Sequence, residues 1–87
     1  MYKIDFTHKA IGDIEGYRKS GQIVVIKKIS TLLKEMAQHP FTGTGKPEAL
    51  KHKLTGLYSR RINREHRIVY QVMNNEIVVH SLKGHYE

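Results

Sequence analysis

His66-Arg67-Ile68-Val69-Tyr70-Gln71-Val72-Met73-Asn74-Asn75-Glu76-Ile77-Val78-Val79-His80-Ser81-Leu82 decides the fold. β-Branched and aromatic residues fill two runs, His66–Met73 and Glu76–Leu82, and Asn74-Asn75 between them suits a tight turn. The stretch therefore predicts a β-hairpin. Alternation sends His66, Ile68, Tyr70 and Val72 to one face and Arg67, Val69, Gln71 and Met73 to the other. The first set is the more apolar, so it is expected beneath whatever covers the sheet, with Arg67 on the uncovered face. His80 shares the parity of Val78 and Leu82 and is expected on the covered face, as a structural histidine.

Upstream, Tyr58–Ile62 adds a third strand and extends the hairpin to an antiparallel meander. If Ile62 joins the covered set, Arg61 emerges beside Arg67 and the open face becomes a cationic groove. Ala49–Gly56 fits either a short turn or a short strand. Phe41–Pro47 is a glycine-rich loop behind Pro40.

From Gln22 to Gln38 the period changes. Ile26, Ile29, Leu33 and Met36 recur at helical spacing, with Leu32 beside them and Lys27, Lys28, Lys34 and Glu35 on the other side. This is an amphipathic helix that Pro40 ends. An earlier helix follows Thr7, a residue type that caps N-termini, and stops near Ser20-Gly21. Its inward side is expected to carry Ile11 and Ile14 with Tyr17 or Arg18. Gly12 and Gly16, one turn apart, each cost that helix about 1 kcal/mol, and are expected to permit close approach to the second helix. Tyr2–Phe6 alternates apolar and charged residues and reads as a short, half-buried strand.

The order defines an α+β fold: an N-terminal strand, then two helices packed on one face of an antiparallel β-sheet. Its 87 residues make one domain, 1–87, with a small core. There is no cysteine, hence no disulfide framework and no thiolate metal site. The first residues lack the apolar run of a signal peptide, and no stretch reaches membrane-spanning length, so a cytoplasmic protein without a membrane partner is expected.

Lys and Arg total 15 against 8 acidic residues, a formal net charge of +7, which favours a polyanionic partner such as nucleic acid, the ribosome or an acidic protein segment. Lys46, Lys51, Lys53, Arg60, Arg61, Arg64 and Arg67 concentrate that charge around Glu48. With His85-Tyr86, the chain holds a carboxylate base, an imidazole acid and cations for a phosphate. Those groups suffice to cut RNA without a metal. The 2′-hydroxyl attacks the adjacent phosphate once a base takes its proton, and an acid protonates the departing 5′-oxygen. Neither cofactor nor metal is expected. His52, His66, His80 and His85 lack compact ligand spacing, and in Gly43-Thr44-Gly45-Lys46 the Ser/Thr of a phosphate-binding loop is replaced by Pro47.

Pro40-Phe41-Thr42-Gly43-Thr44-Gly45-Lys46-Pro47-Glu48-Ala49-Leu50-Lys51-His52, Gly56-Leu57-Tyr58-Ser59-Arg60-Arg61-Ile62, Glu65-His66-Arg67-Ile68-Val69-Tyr70 and terminal His85-Tyr86 resemble the YoeB/Txe toxins of the RelE superfamily. The resemblance spans nearly the whole chain. It implies a microbial-ribonuclease-like (RelE-like) fold and the toxin of a type II toxin–antitoxin pair, which cleaves mRNA in the ribosomal A site and halts translation. It implies a YefM-type antitoxin as protein partner, and it allows a homodimer.

By position, the resemblance implies Glu48 as general base, Arg67 as phosphate-binding arginine, His85 as general acid and Tyr86 as a substrate-positioning residue. Lys51 and Arg61 match supporting cations. Lys46 and Arg60 are expected to join them at the RNA phosphates. Tyr58 stands where relatives often carry Trp, and is expected to stack. Glu87 follows the His-Tyr pair and departs from the family pattern. Two other readings share the basic surface. One is a toxin of the same fold that poisons DNA gyrase, as ParE-like relatives do; the other is a non-catalytic RNA- or ribosome-binding module. Neither has a use for an acid–base pair.

Overall fold

The computed structural model describes Met1–Gly84. Along the chain run β1 (Lys3–Phe6), α1 (His8–Lys19), α2 (Ile23–Gln38), β2 (Glu48–Ala49), a short 3-10 turn (His52–Leu54), β3 (Leu57–Arg61), β4 (Arg67–Met73) and β5 (Glu76–Ser81). The five strands form one sheet in the order β1-β5-β4-β3-β2. The meander β3–β5 is antiparallel as expected and β2 extends it antiparallel to β3, but β1 lies parallel to β5, with Ile4 beside Ile77 and Phe6 beside Val79. The sheet is therefore mixed at that edge. Parallel neighbours need a long connection, and here everything between the two terminal strands supplies it.

Thr7 joins β1 to α1. Its hydroxyl accepts the Ala10 N–H at 3.1 Å and donates to the His80 carbonyl at 3.0 Å, capping the helix and fastening it to β5 in one residue. The inward stripe of α1 is Ala10, Ile14 and Tyr17, whereas Ile11 is 53 % exposed. Ile11 fails as a core residue because it stands one residue, about 100° of helical rotation, off that stripe. Gly12 and Gly16 are exposed, and a Cβ built on either meets nothing within 4 Å. They do not bring the two helices together.

On α2, Ile29, Leu32 and Met36 are buried, with Ile26 and Leu33 at the margin. They cover Ile68 and Tyr70 of β4, Ile77 and Val79 of β5, and Leu82, all fully buried. Each such side chain contributes about 1.5–3 kcal/mol relative to exposure, so the helix pair and the sheet hold each other in place.

A register shift interrupts β5. Val69 pairs with Ser81 and Tyr70 with Val79, so His80 is the extra residue of a bulge. The buried parity is Ile77 and Val79, and the bulge returns Leu82 to the core. His80 accordingly lies on the uncovered side, its Nε2 3.3 Å from Gln71 Oε1, not on the covered face. Simple alternation could not anticipate the bulge. Among the described residues, no helix is long and apolar enough to cross a membrane.

Candidate RNA-cleaving face

Glu48 is the first residue of β2 and not part of the preceding loop. It pairs with Ser59, Ser59 pairs with Val69, and two residues along the same strands Arg61 pairs with Arg67. Alternation then puts Glu48, Ser59, Arg61, Arg67 and Val69 on the sheet face opposite the helices. Glu48 and Arg61 are exposed and Arg67 half-buried, while Ser59 and Val69 are sunk between them, at 0 % and 9 % exposure. The Ser59 hydroxyl has no hydrogen-bond partner among the described residues. Strand spacing sets the Glu48 and Arg67 Cα atoms about 12 Å apart, a span that two long side chains close around one group. Exposed Lys46 and Lys51 flank β2 on either side of Glu48. Arg61 and Arg67 therefore share the open face as the alternation argument expects, and the register of β2 adds Glu48 to it.

The approach to Glu48 is fixed by the loop before it. Gly45, at φ 88°, turns its carbonyl to the Arg61 N–H at 2.7 Å. A Cβ there would stand 2.7 Å from the Arg61 carbonyl oxygen and 2.6 Å from Arg60 Cγ, so only glycine passes. Tyr70 donates its hydroxyl to the Pro40 carbonyl at 2.7 Å, and the Phe41 ring packs on Tyr58 at 5.0 Å.

Two expected RNA contacts are corrected here. Arg60 is fully buried: Nη1 bonds Glu35 Oε1 at 2.8 Å, and Nη2 donates to the His39 and Thr42 carbonyls, both at 2.9 Å. It opposes Ile68 in register and shares the parity of buried Ile62, so its guanidinium faces the helices. It braces the loop instead of meeting phosphate. Tyr58 opposes Tyr70 and stacks on it at 6.0 Å and 26°, again on the helix side, so its ring belongs to the margin of the core. Glu35 completes the brace, bonding both the backbone N–H and the hydroxyl of Thr44. The Thr44 N–H is the largest influence holding its carboxyl below the ordinary value, with the Thr44 hydroxyl and Arg60 adding to it against partial burial.

Past β5 two side chains of α1 hold Leu82. The Leu82 N–H donates to Asp13 Oδ2 at 2.9 Å, and its carbonyl accepts the Tyr17 hydroxyl at 2.7 Å. Burial first, then the carboxylates of Asp13 and Glu65, push the Tyr17 hydroxyl up to about 12. Gly84 comes next, its N–H 2.8 Å from His66 Nδ1 and its carbonyl 3.2 Å from the Arg67 N–H. The chain thus reaches the Arg67 corner just before His85. His85 and Tyr86 lie outside the described residues.

Residues 6–86 match the family model of the YoeB-like toxin of bacterial type II toxin–antitoxin systems. The chain belongs to the YoeB-like toxin family. It is 40 % identical over 85 residues to Toxin YoeB of Synechocystis sp., covering 98 % of each chain. Among solved YoeB-like structures, it resembles the YoeB/ParE toxin from Agrobacterium tumefaciens with a TM-score of 0.92 at 35 % identity, covering 97 % of this chain and 99 % of that one. It also resembles the toxin in a YoeB–YefM complex from Staphylococcus aureus, with a TM-score of 0.86 at 44 % identity and 99 % of each chain covered.

Sequence reasoning passed over Glu35, Ser59 and His66. Only Ser59 carried a signal, its parity with Arg61 on the open face. Glu35 read as one more polar residue on the outer side of α2, and His66 as one more inward residue of its strand.

Proposed function

We propose that this YoeB-like toxin is a ribosome-dependent, metal-independent endoribonuclease that cuts mRNA in the A site and so inhibits translation. The observation that carries the reading is the convergence of Glu48, Arg61 and Arg67 on one exposed sheet face, at the corner toward which the chain turns at Gly84. Glu48 takes the proton of the 2′-hydroxyl. The 2′-oxygen bonds to phosphorus, the bond from phosphorus to the 5′-oxygen breaks, and His85 delivers a proton to that oxygen. The products are a 2′,3′-cyclic phosphate and a free 5′-hydroxyl.

Arg67 and Arg61 stabilise the charge that develops on the phosphate. A guanidinium holds two oxygens at once and stays charged at any working pH. Lys46 and Lys51 steer and hold the flanking phosphates, and Tyr86 positions the nucleotide. A YefM-type antitoxin is the protein partner, in keeping with the YoeB–YefM complex of the Staphylococcus aureus relative. A segment rich in carboxylates would neutralise the same cations.

Primer extension on preassembled ribosome complexes tests the reading, with His85→Ala beside the wild type. Cuts confined to the A-site codon and lost in the variant are expected. An intact message on ribosomes that a control nuclease can cut overturns the reading, and a supercoiling assay then tests gyrase as the target.

A further inference from the structure

We propose that His66 is a positioning residue of the cleavage site, setting through its Nδ1 the course on which the chain enters His85. The proposal rests on the reading of His85 as the general acid.

β5 ends at Ser81, and from there to Gly84 the path depends on individual contacts from Asp13, Tyr17, His66 and Arg67. Tyr17 and Asp13 hold Leu82. Gly84 is held through both backbone groups by two consecutive residues, its N–H by His66 Nδ1 at 2.8 Å and its carbonyl by the Arg67 N–H at 3.2 Å. With φ at 81°, Gly84 turns the chain where only glycine does so without strain. The residue after that turn is His85.

His66 is itself held at both ends. The Asn63 side chain accepts its N–H at 2.9 Å, its carbonyl accepts the Ile62 N–H at 2.9 Å, and its ring stands edge-on to the buried Tyr17 ring at 5.5 Å and 71°. To accept a hydrogen bond at Nδ1, the imidazole must carry its proton on Nε2 and be neutral. The ring also borders a hollow of about 230 Å³ that Gly12, Gly16, Tyr17 and Lys83 line with it. Among the described residues, the Tyr17 ring and the bond to Gly84 orient the imidazole.

One dipeptide therefore anchors the acid's segment and presents the phosphate-binding cation. His66 fixes Gly84, and Arg67, the next residue, fixes Gly84 from the other side while its guanidinium serves the phosphate. A shift of Gly84 displaces the backbone to which residue 85 is joined, and misplacement of a reacting group by about 1 Å costs on the order of 100-fold in rate.

Two substitutions separate this role from mere packing. In His66→Asn the amide oxygen takes the place of Nδ1 and can accept the Gly84 N–H; in His66→Gln the amide lies one bond farther out. Single-turnover cleavage on preassembled ribosome complexes is expected to stay within about fivefold of wild type for His66→Asn. It is expected to fall about 10- to 100-fold for His66→Gln, with ribosome affinity unchanged in both. Amide exchange at Gly84, read by NMR on the toxin alone, is expected to be faster in His66→Gln than in His66→Asn. Equal cleavage rates in the two variants, or a loss confined to ribosome affinity, overturn the positioning role. Absence of cleavage by the wild type removes the reading on which the proposal rests, whereas cleavage that His85→Ala abolishes and His66→Gln leaves intact removes this proposal alone.

Discussion

The Arg60 guanidinium, wholly inaccessible to solvent, bonds the Glu35 carboxylate at 2.8 Å and ties the last turns of α2 to the loop that delivers Glu48. The two residues are distant in sequence and lie on the opposite side of the sheet from the proposed chemistry. Their pairing nonetheless holds the loop that leads to β2. Arg60 also holds two loop carbonyls, and Glu35 holds Thr44, so the brace spans most of the loop.

Removing the carboxylate strands a buried cation. Glu35→Gln is expected to destabilise the toxin by about 3 kcal/mol, at the lower end for broken buried pairs because Glu35 keeps 29 % of its side chain in solvent. Urea unfolding measures this. A change below about 0.5 kcal/mol would show that the brace is energetically idle.

The same carboxylate makes stability depend on acid. Its folded value lies below the ordinary 4.5, chiefly through the Thr44 N–H, so the native state favours the ionised form. That contribution is complete above the unfolded value, shrinks as the pH falls below about 4.5, and is lost once the pH passes the folded value. The stability gap between wild type and Glu35→Gln should therefore close on acidification below that point. Unfolding curves from neutral to strongly acidic pH are the check, and a constant gap would contradict it.

Tyr17 supplies the alkaline counterpart. Its hydroxyl is raised from 10.0 to about 12 and donates to the Leu82 carbonyl. Folding favours the protonated form, so stability is undiminished below pH 10 and declines as the pH rises through 12. Tyr17→Phe should cost about 1 kcal/mol near neutrality and lose less than wild type on the alkaline side. Parallel pH–stability curves for the two proteins would contradict the assignment.

Adjacent arginines should behave as opposites. Arg61 is exposed on the face proposed to cleave RNA, so Arg61→Ala is expected to leave stability within about 0.5 kcal/mol and slow cleavage by at least tenfold. Arg60→Ala should lower the unfolding midpoint, with slower cleavage following from the loosened loop. If Arg60→Ala remained as stable as wild type and Arg61→Ala unfolded, the two faces would have been exchanged.

The fold was legible because the period changes are plain: alternation through Ile68, Tyr70 and Val72, and helical spacing through Ile29, Leu33 and Met36. That alternation also located Arg61 and Arg67. It carried the correct answer for Arg60 too, since Ile62 and Arg60 share a face, but a basic run reads as a surface when the buried partner lies elsewhere. Glu35 is such a partner, supplied by a helix distant in sequence, and local pattern cannot show it. The same limit hid the bulge at His80, because one extra residue shifts parity without any change in composition. The parallel docking of β1 was hidden as well, since a half-buried strand looks alike in either direction.

The most direct test of the account replaces the nucleophile. A preassembled ribosome complex would carry a message with a single 2′-deoxynucleotide on the 5′ side of the scissile phosphate, beside the all-ribose message. Cleavage by the wild-type toxin at that position should vanish with the deoxynucleotide, while the all-ribose message yields a 2′,3′-cyclic phosphate end. Equal cleavage of both messages would mean that the 2′-hydroxyl is not the attacking group, and the roles proposed for Glu48 and His85 would fall with it.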